Sequence, residues 1–226
     1  MVINILKQIE DRAKEKKRPK EKTVPLFPDS DILRPEPPPK KKPAPKAKVL
    51  RAHTTNHFQR LAEPHDFDGD TAYHEGIRDH ALRSVGGALK ALDLAKAGKP
   101  NFSLLRPPGH HATKERAMGF CYLGSVAIAA LEAKATGSKK VAVFDFDVHH
   151  GNGTQHMCEH DPGLFYGSSH QWPAYPGTGA IDETGEFENI FNVPMAPGEG
   201  SQAFRKGYEK GILPALRKFN PDLLLL

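Results

Sequence analysis

The sequence predicts an α/β fold with a central parallel sheet covered by helices on both faces. Three observations carry this. Short apolar strand candidates alternate with helical patterns from about residue 75 to the end of the chain. Two strand candidates run directly into histidine-bearing loops. A sharp change of composition near residue 52 sets this part off from a basic, proline-rich start. Alternating strands and helices favour a parallel sheet, because a parallel connection must cross over and a helix is the usual crossover.

Each element has its own justification. From Glu75 to Gly98 apolar residues recur at helical spacing (Ile77, Ala81, Val85, Leu89 and Leu92 among them), and Gly98 is a natural stop. Residues 102–105, FSLL, read as a short buried strand, followed by the loop Arg106-Pro107-Pro108-Gly109-His110-His111. Small and apolar residues from Gly124 to Ala135 read as a closely packed helix. VAVFDF, from Val141 to Phe146, is the clearest strand candidate, and Leu164 to Tyr166 another. Ser201 to about Phe219 reads as a helix despite Pro214, and DLLLL, 222–226, as the start of a further buried strand. In such sheets ligands sit beyond the carboxyl ends of the strands, which is where the loops at 106–111 and 147–153 fall.

Composition bounds the function. The 226 residues allow one domain with an appendage. No apolar run approaches the roughly 20 residues that span a bilayer, and no secretory signal pattern opens the chain. Two cysteines exclude a disulfide scaffold. The net charge of +5 divides unevenly: residues 1–52 carry 15 Lys/Arg against 7 Asp/Glu, a balance of +8, and residues 53–226 a balance of −3. Residues 1–52 therefore read as a basic Pro/Lys-rich leader, disordered apart from a short helix over Met1 to about Lys17, with 34–48 as an extended linker. The leader is either a basic arm for nucleic acid or a solubilising segment.

The chemistry concentrates in four places. In Asp145-Phe146-Asp147-Val148-His149-His150-Gly151-Asn152-Gly153, extended alternation turns Asp145, Asp147 and His149 to one side. Carboxylates at the end of an apolar strand need compensation, from hydrogen bonds or from a divalent metal for which Asp oxygen and His nitrogen are ordinary ligands. Gly151 and Gly153 would let backbone pass close to a site. His110 and His111, after a rigid Pro-Pro-Gly turn, read as ligands, as an acid–base pair near neutral pH, or as ordinary loop residues. In Gly119-Phe120-Cys121-Tyr122, Phe120 reads best as core and Cys121 as a buried thiol rather than a nucleophile. Residues 168–179, SSHQWPAYPGTG, form a turn-rich loop displaying aromatics, suited to lining a slot.

RPPGHHA, GFCYLGSVAIAA, VFDFDVHHGNGTQ and SSHQWPAYPGTG, in this order and spacing, resemble the histone deacetylase family, which includes bacterial acetylpolyamine amidohydrolases and acetoin-utilisation proteins. The resemblance covers about residues 65–226, and the DVHHGNGTQ form lies nearer the class II and bacterial branches. It implies a three-layer arginase/deacetylase fold and a zinc-dependent amidohydrolase acting on acetyl-lysine or acetylpolyamine amides. Asp147 and His149 would be two of three ligands to Zn²⁺, with Fe²⁺ as the other candidate ion. His110 and His111 would handle protons, with Asp145 orienting His110. Asn152 stands where class I members carry an Asp behind the second histidine, and an amide cannot supply that charge. Phe120 and Tyr175 would wall an acyl-lysine channel, the Gly119 carbonyl would accept the substrate amide, and Asp70 would hold substrate backbone at the rim. Asp145, Asp147, His149 and Ser168 match a structural potassium site.

The resemblance also marks departures. The third metal ligand and the carbonyl-polarising residue, usually Tyr, are expected beyond Leu226, so residues 53–226 read as a partial domain with weak or no activity of its own. Residues 1–52 lack the family's opening strand and its His-Pro-Glu-Arg segment. The competing expectation is an inactive remnant acting through its basic arm on nucleic acid or a protein partner. A two-metal ureohydrolase of the same fold is disfavoured by the tandem histidines. The expected location is cytoplasmic, or nuclear in a eukaryote.

Overall fold

A computed structural model describes residues 42–226. The expected N-terminal helix, and the part of the leader before residue 42, lie outside the described residues.

Four strands form one parallel sheet: β1 (Val141–Asp145), β2 (Leu164–Gln171), β3 (Ile190–Met195) and β4 (Leu223–Leu225), in the order β3-β2-β1-β4. Strand β1 reads Val-Ala-Val-Phe because both its faces are covered. Val141 and Val143 face one apolar cluster, with Leu92, Ala130, Ala133, Leu164 and Tyr166. Ala142 faces another, with Phe165 and Leu216. The period of two in β1 and β2 thus feeds two separate cores, which is the three-layer arrangement.

One face carries three helices: α3 (Ile77–Lys96), α4 (Ser125–Ala135) and α5 (Asn152–Cys158). The other carries α6 (Ser201–Gly207), a π-helical segment (Tyr208–Ile212) and α7 (Leu213–Phe219). The predicted helix over 201–219 is therefore helical throughout but not uniformly α. The wide turn lies just ahead of Pro214 and absorbs a residue that lacks a backbone donor. Helix α3 ends at Lys96, two residues before Gly98, whose φ is +75°.

Three expectations are corrected. Residues 102–105 form no strand: Phe102 and Leu104 are 72% and 85% exposed, while Ser103 and Leu105 tuck down onto Gly87. An apolar run becomes a strand only beside a partner, and no described strand runs next to this one. Strand β3, where the sequence pattern predicts no element, contains Asn192 and Pro194; it lies at the sheet edge, where a missing donor is tolerated. Residues 42–52, read as part of the leader, belong to the compact unit Lys42–Leu226, and residues 46–48 are helical rather than extended. Helix α1 (Lys46–Val49) and α2 (Thr55–Arg60) pack into a third core cluster, with Val49, Ala52 and Leu61 buried. Buried Glu132 of α4 fixes this segment through Lys48 Nζ and Arg51 Nε, each at 2.8 Å. The cations at 48 and 51, counted with a solvated arm, thus hold an internal carboxylate.

Candidate active site

Strand β1 delivers Asp145 to the carboxyl edge of the sheet, in register with Ser168 of β2. The strand ends there, so Asp147 and His149 are not aligned by strand alternation as expected. Instead the Asp147 amide donates to Asp145 Oδ1 (3.1 Å) and the His149 amide to Asp147 Oδ1 (2.8 Å), folding the loop onto its own carboxylates. Asp147 and His149 keep half-exposed side chains, with Oδ1 and Nδ1 3.3 Å apart.

The loop at 106–111 comes down beside this turn. His110 Nδ1 lies 3.0 Å from Asp145 Oδ2, and His111 Nδ1 lies 2.9 Å from Asn152 Oδ1 at the start of α5. Their ring centroids are 4.0 Å apart, and the His111 ring lies 6.1 Å from that of His149. The tandem histidines and the Asp147/His149 pair, 36 residues apart or more in sequence, therefore form one cluster.

Two glycines make the approach possible. A Cβ on Gly151 would stand 2.2 Å from Asp145 Oδ2 and 2.7 Å from the Tyr166 hydroxyl; one on Gly153 would stand 2.3 Å from the Ala112 carbonyl oxygen. Both are distances real Cβ atoms do not adopt.

The histidines differ electrostatically because their partners differ. Burial pushes the His110 pKa down, but the hydrogen bond and charge of Asp145, with Asp147 behind it, outweigh this and hold it above the ordinary value. Burial and the neighbouring His110 pull His111 down to about 4, and the Asn152 amide opposes this only weakly. Burial raises the Asp145 carboxyl, and its bonds to His110, to the Asp147 amide and to Tyr166 more than reverse that.

The remaining expected residues surround this centre. Gly119 and Phe120 both have positive φ, 55° and 62°, uncommon for a phenylalanine. The turn is held by the Phe120 amide donating to the buried Thr71 hydroxyl (3.0 Å) and by the Met118–Cys121 bridge. It leaves Phe120 63% exposed, not a core residue. Tyr175 stands edge-on to His111 at 5.0 Å between centroids and is 38% exposed. Its phenol pKa is raised, by burial first and then by Asp68, Cys121 and Asp70. Asp70 itself is exposed, its amide donating to Asp68 Oδ1. Ser168 is buried, its hydroxyl bonded to His170 Nδ1 at 2.9 Å. Cys121 is buried, and burial pushes its thiol up to about 12, the state of an inert thiol.

Sequence reasoning missed the supports. The Tyr166 hydroxyl, inside β2, accepts from the Gly151 amide (3.0 Å) and donates to Asp145 Oδ2 (3.2 Å). Glu183 accepts from the amides of Gly179 and Ala180 and from Gln155 Nε2, fixing the loop after Tyr175. His53 Nε2 accepts from the Gly124 amide, and His57 Nε2 meets the Tyr122 carbonyl, clamping the segment behind Phe120. A tyrosine in an apolar strand and histidines outside any motif carry no periodic signal.

Asp147 and His149 fit a zinc ion in kind. Ligands about 2.0–2.2 Å from a tetrahedral ion stand roughly 3.4 Å apart, close to their 3.3 Å. They are two donors where catalytic zinc sites use three. Among the described residues, the one group of three such side chains close enough for a single ion is elsewhere, at His156, Glu159 and His160.

Comparison with known proteins agrees with this geometry. The model of the histone deacetylase domain matches residues 7–226, beginning well inside the stretch set apart by composition. A histone deacetylase-like amidohydrolase of Pseudomonas aeruginosa is 37% identical over 196 residues, 81% of this chain and 52% of that protein. A probable deacetylase of Archaeoglobus fulgidus is 35% identical over 187 residues, 79% of this chain and 52% of that one. The crystal structure of an acetylpolyamine aminohydrolase from Burkholderia pseudomallei superposes with a TM-score of 0.75 at 31% identity, covering 81% of this chain and 66% of the other. The chain spans about half the length of the curated relatives it matches. With its three-layer parallel sheet and its site at the strand ends, the chain belongs to the histone deacetylase family.

Proposed function

We propose that the protein hydrolyses acetyl amides of lysine side chains or polyamines, with His111 as proton acceptor and His110 as proton donor. The observation that carries this is the unequal backing of two adjoining imidazoles, a carboxylate behind one and an amide behind the other. His111 is neutral at pH 7 and so able to take a proton; His110, held by Asp145, keeps one longer and can pass it to a departing amine. Asp147 and His149 would hold zinc, or ferrous iron, together with a third ligand; when bound, such an ion acidifies a water and polarises the amide carbonyl. Phe120 and Tyr175 suit the methylene stem of an acylated amine and keep bulk water from it, with the Gly119 carbonyl and Asp70 as anchors for the rest of the substrate. A potassium ion at Asp145, Asp147, His149 and Ser168 belongs to the same reading, supported by the register of Asp145 opposite Ser168.

The test is acetate release from an acetyl-lysine peptide and from an acetylpolyamine, with zinc or iron supplied. The expected result is metal-dependent release that falls roughly 10²–10⁴-fold in His111→Ala. Release from neither substrate, or release unchanged in His111→Ala, would overturn the assignment.

A further inference from the structure

Helix α5 has functional groups at both ends. Asn152 opens it behind His111, and at its other end stand His156 in the last turn and Glu159 and His160 just past it, for which the proposed reaction has no use. Their nearest donor atoms all lie within 4.8 Å of one another. Glu159 Oε1 sits between the two rings, 3.0 Å from His156 Nδ1 and 3.4 Å from His160 Nε2. These are the spacings of ligands around one tetrahedral ion, roughly 3.4 Å for bonds of about 2.0–2.2 Å.

A second observation points the same way. The other ring nitrogen of His160, Nδ1, faces Glu186 Oε2 at 3.3 Å, from the loop before β3. A carboxylate on Nδ1 fixes the proton there and leaves the Nε2 lone pair aimed at Glu159 and His156. Metal-binding histidines are commonly oriented in this way by a carboxylate behind the ring. The backbone already holds the two segments in register, since the Glu186 amide donates to the Glu159 carbonyl at 3.0 Å. His156 and His160 are 45% and 66% exposed, so an ion reaches them from solvent without any rearrangement.

We propose that His156 Nδ1, the Glu159 carboxylate and His160 Nε2 form a zinc site at the C-terminal end of α5, with Glu186 positioning His160. Two imidazoles and one carboxylate select zinc or a neighbouring late transition ion over magnesium or calcium, which prefer oxygen alone. A bound ion would tie the end of α5 to the loop carrying Glu183 and Glu186.

The experiment is zinc titration by calorimetry of the whole chain carrying Asp147→Ala and His149→Ala, so that the candidate active site contributes no binding. One equivalent of zinc is expected. Adding His156→Ala and His160→Ala is expected to abolish it, and adding Glu186→Gln instead to weaken it about 10–100-fold. Circular dichroism checks that each variant is folded; the substituted side chains are exposed or half-exposed. No zinc uptake by the Asp147/His149 variant, or uptake that survives loss of both His156 and His160, would overturn the site. Unchanged affinity in Glu186→Gln would remove its positioning role. None of these outcomes depends on amide hydrolysis.

Discussion

The contrast between His110 and His111 is open to a one-atom-scale test. Asn152→Asp replaces the amide oxygen 2.9 Å from His111 Nδ1 by a carboxylate, giving His111 the kind of partner that Asp145 gives His110 at 3.0 Å. Two unit charges about 4 Å apart interact by about 4 kcal/mol at an effective dielectric of 20, an upper limit of roughly three pKa units. Burying the new carboxylate takes part of that back, so a rise of about one to three units is expected. His111, at about 4, would then titrate at roughly 5–7, while His110 stays close to where it was. The assay is an NMR titration of histidine ring nitrogens in the metal-free protein, with His111 assigned by substitution. A His111 that already titrates near 6.5 in the parent protein would refute the argument. So would a rise of under half a unit in Asn152→Asp, because it would mean that burial and not the missing charge decides the value.

Two further expectations concern stability. Gly153→Ala places a Cβ 2.3 Å from the Ala112 carbonyl oxygen and 2.7 Å from the His111 carbonyl carbon, backbone atoms with nowhere to move. A loss of about 1–3 kcal/mol is expected in urea denaturation, and a change below about 0.5 kcal/mol would show that the loop is looser than its contacts imply. Acidification should also destabilise the fold. His53, buried, has its pKa lowered to about 3, by burial first and then by His57, and His150 to about 4, by burial and then His170. The native state holds both neutral while the unfolded chain protonates them below about 6.5, so stability is full above that pH and is lost as pH falls toward 3. Between pH 7 and pH 5 His53 alone accounts for about 2 kcal/mol, and the raised His110 works in the opposite direction. A urea midpoint at pH 5 equal to that at pH 7 would refute this.

How much of the site was legible depended on how local its signals are. Asp145, Asp147 and His149 share one strand-and-loop segment, and His110 with His111 another, so each half was readable alone and the family pattern joined them. The glycines at 151 and 153 were readable as places of close approach; what they approach, Asp145 Oδ2 in one case and the Ala112 backbone in the other, was not. Phe120 shows the difference plainly. As a letter it reads better as core, and the left-handed turn held by Thr71 from 49 residues away turns it out of the core instead.

The sequence by itself determined what repeats or clusters along the chain: the helical period of α3, the two-sided apolar run of β1, the donor types in each loop and the family they match. The tertiary structure decided what depends on a partner far along the chain. Residues 102–105 are apolar enough for a strand, yet nothing described pairs with them. Residues 42–52 look like a solvated arm, yet Glu132, some 80 residues on, draws Lys48 and Arg51 onto α4. The protonation of His111 turns on whether an amide or a carboxylate stands 2.9 Å away at the head of α5. Periodicity is a property of neighbours in sequence, whereas pairing, burial and charge are properties of neighbours in space, and only folding brings the second kind together.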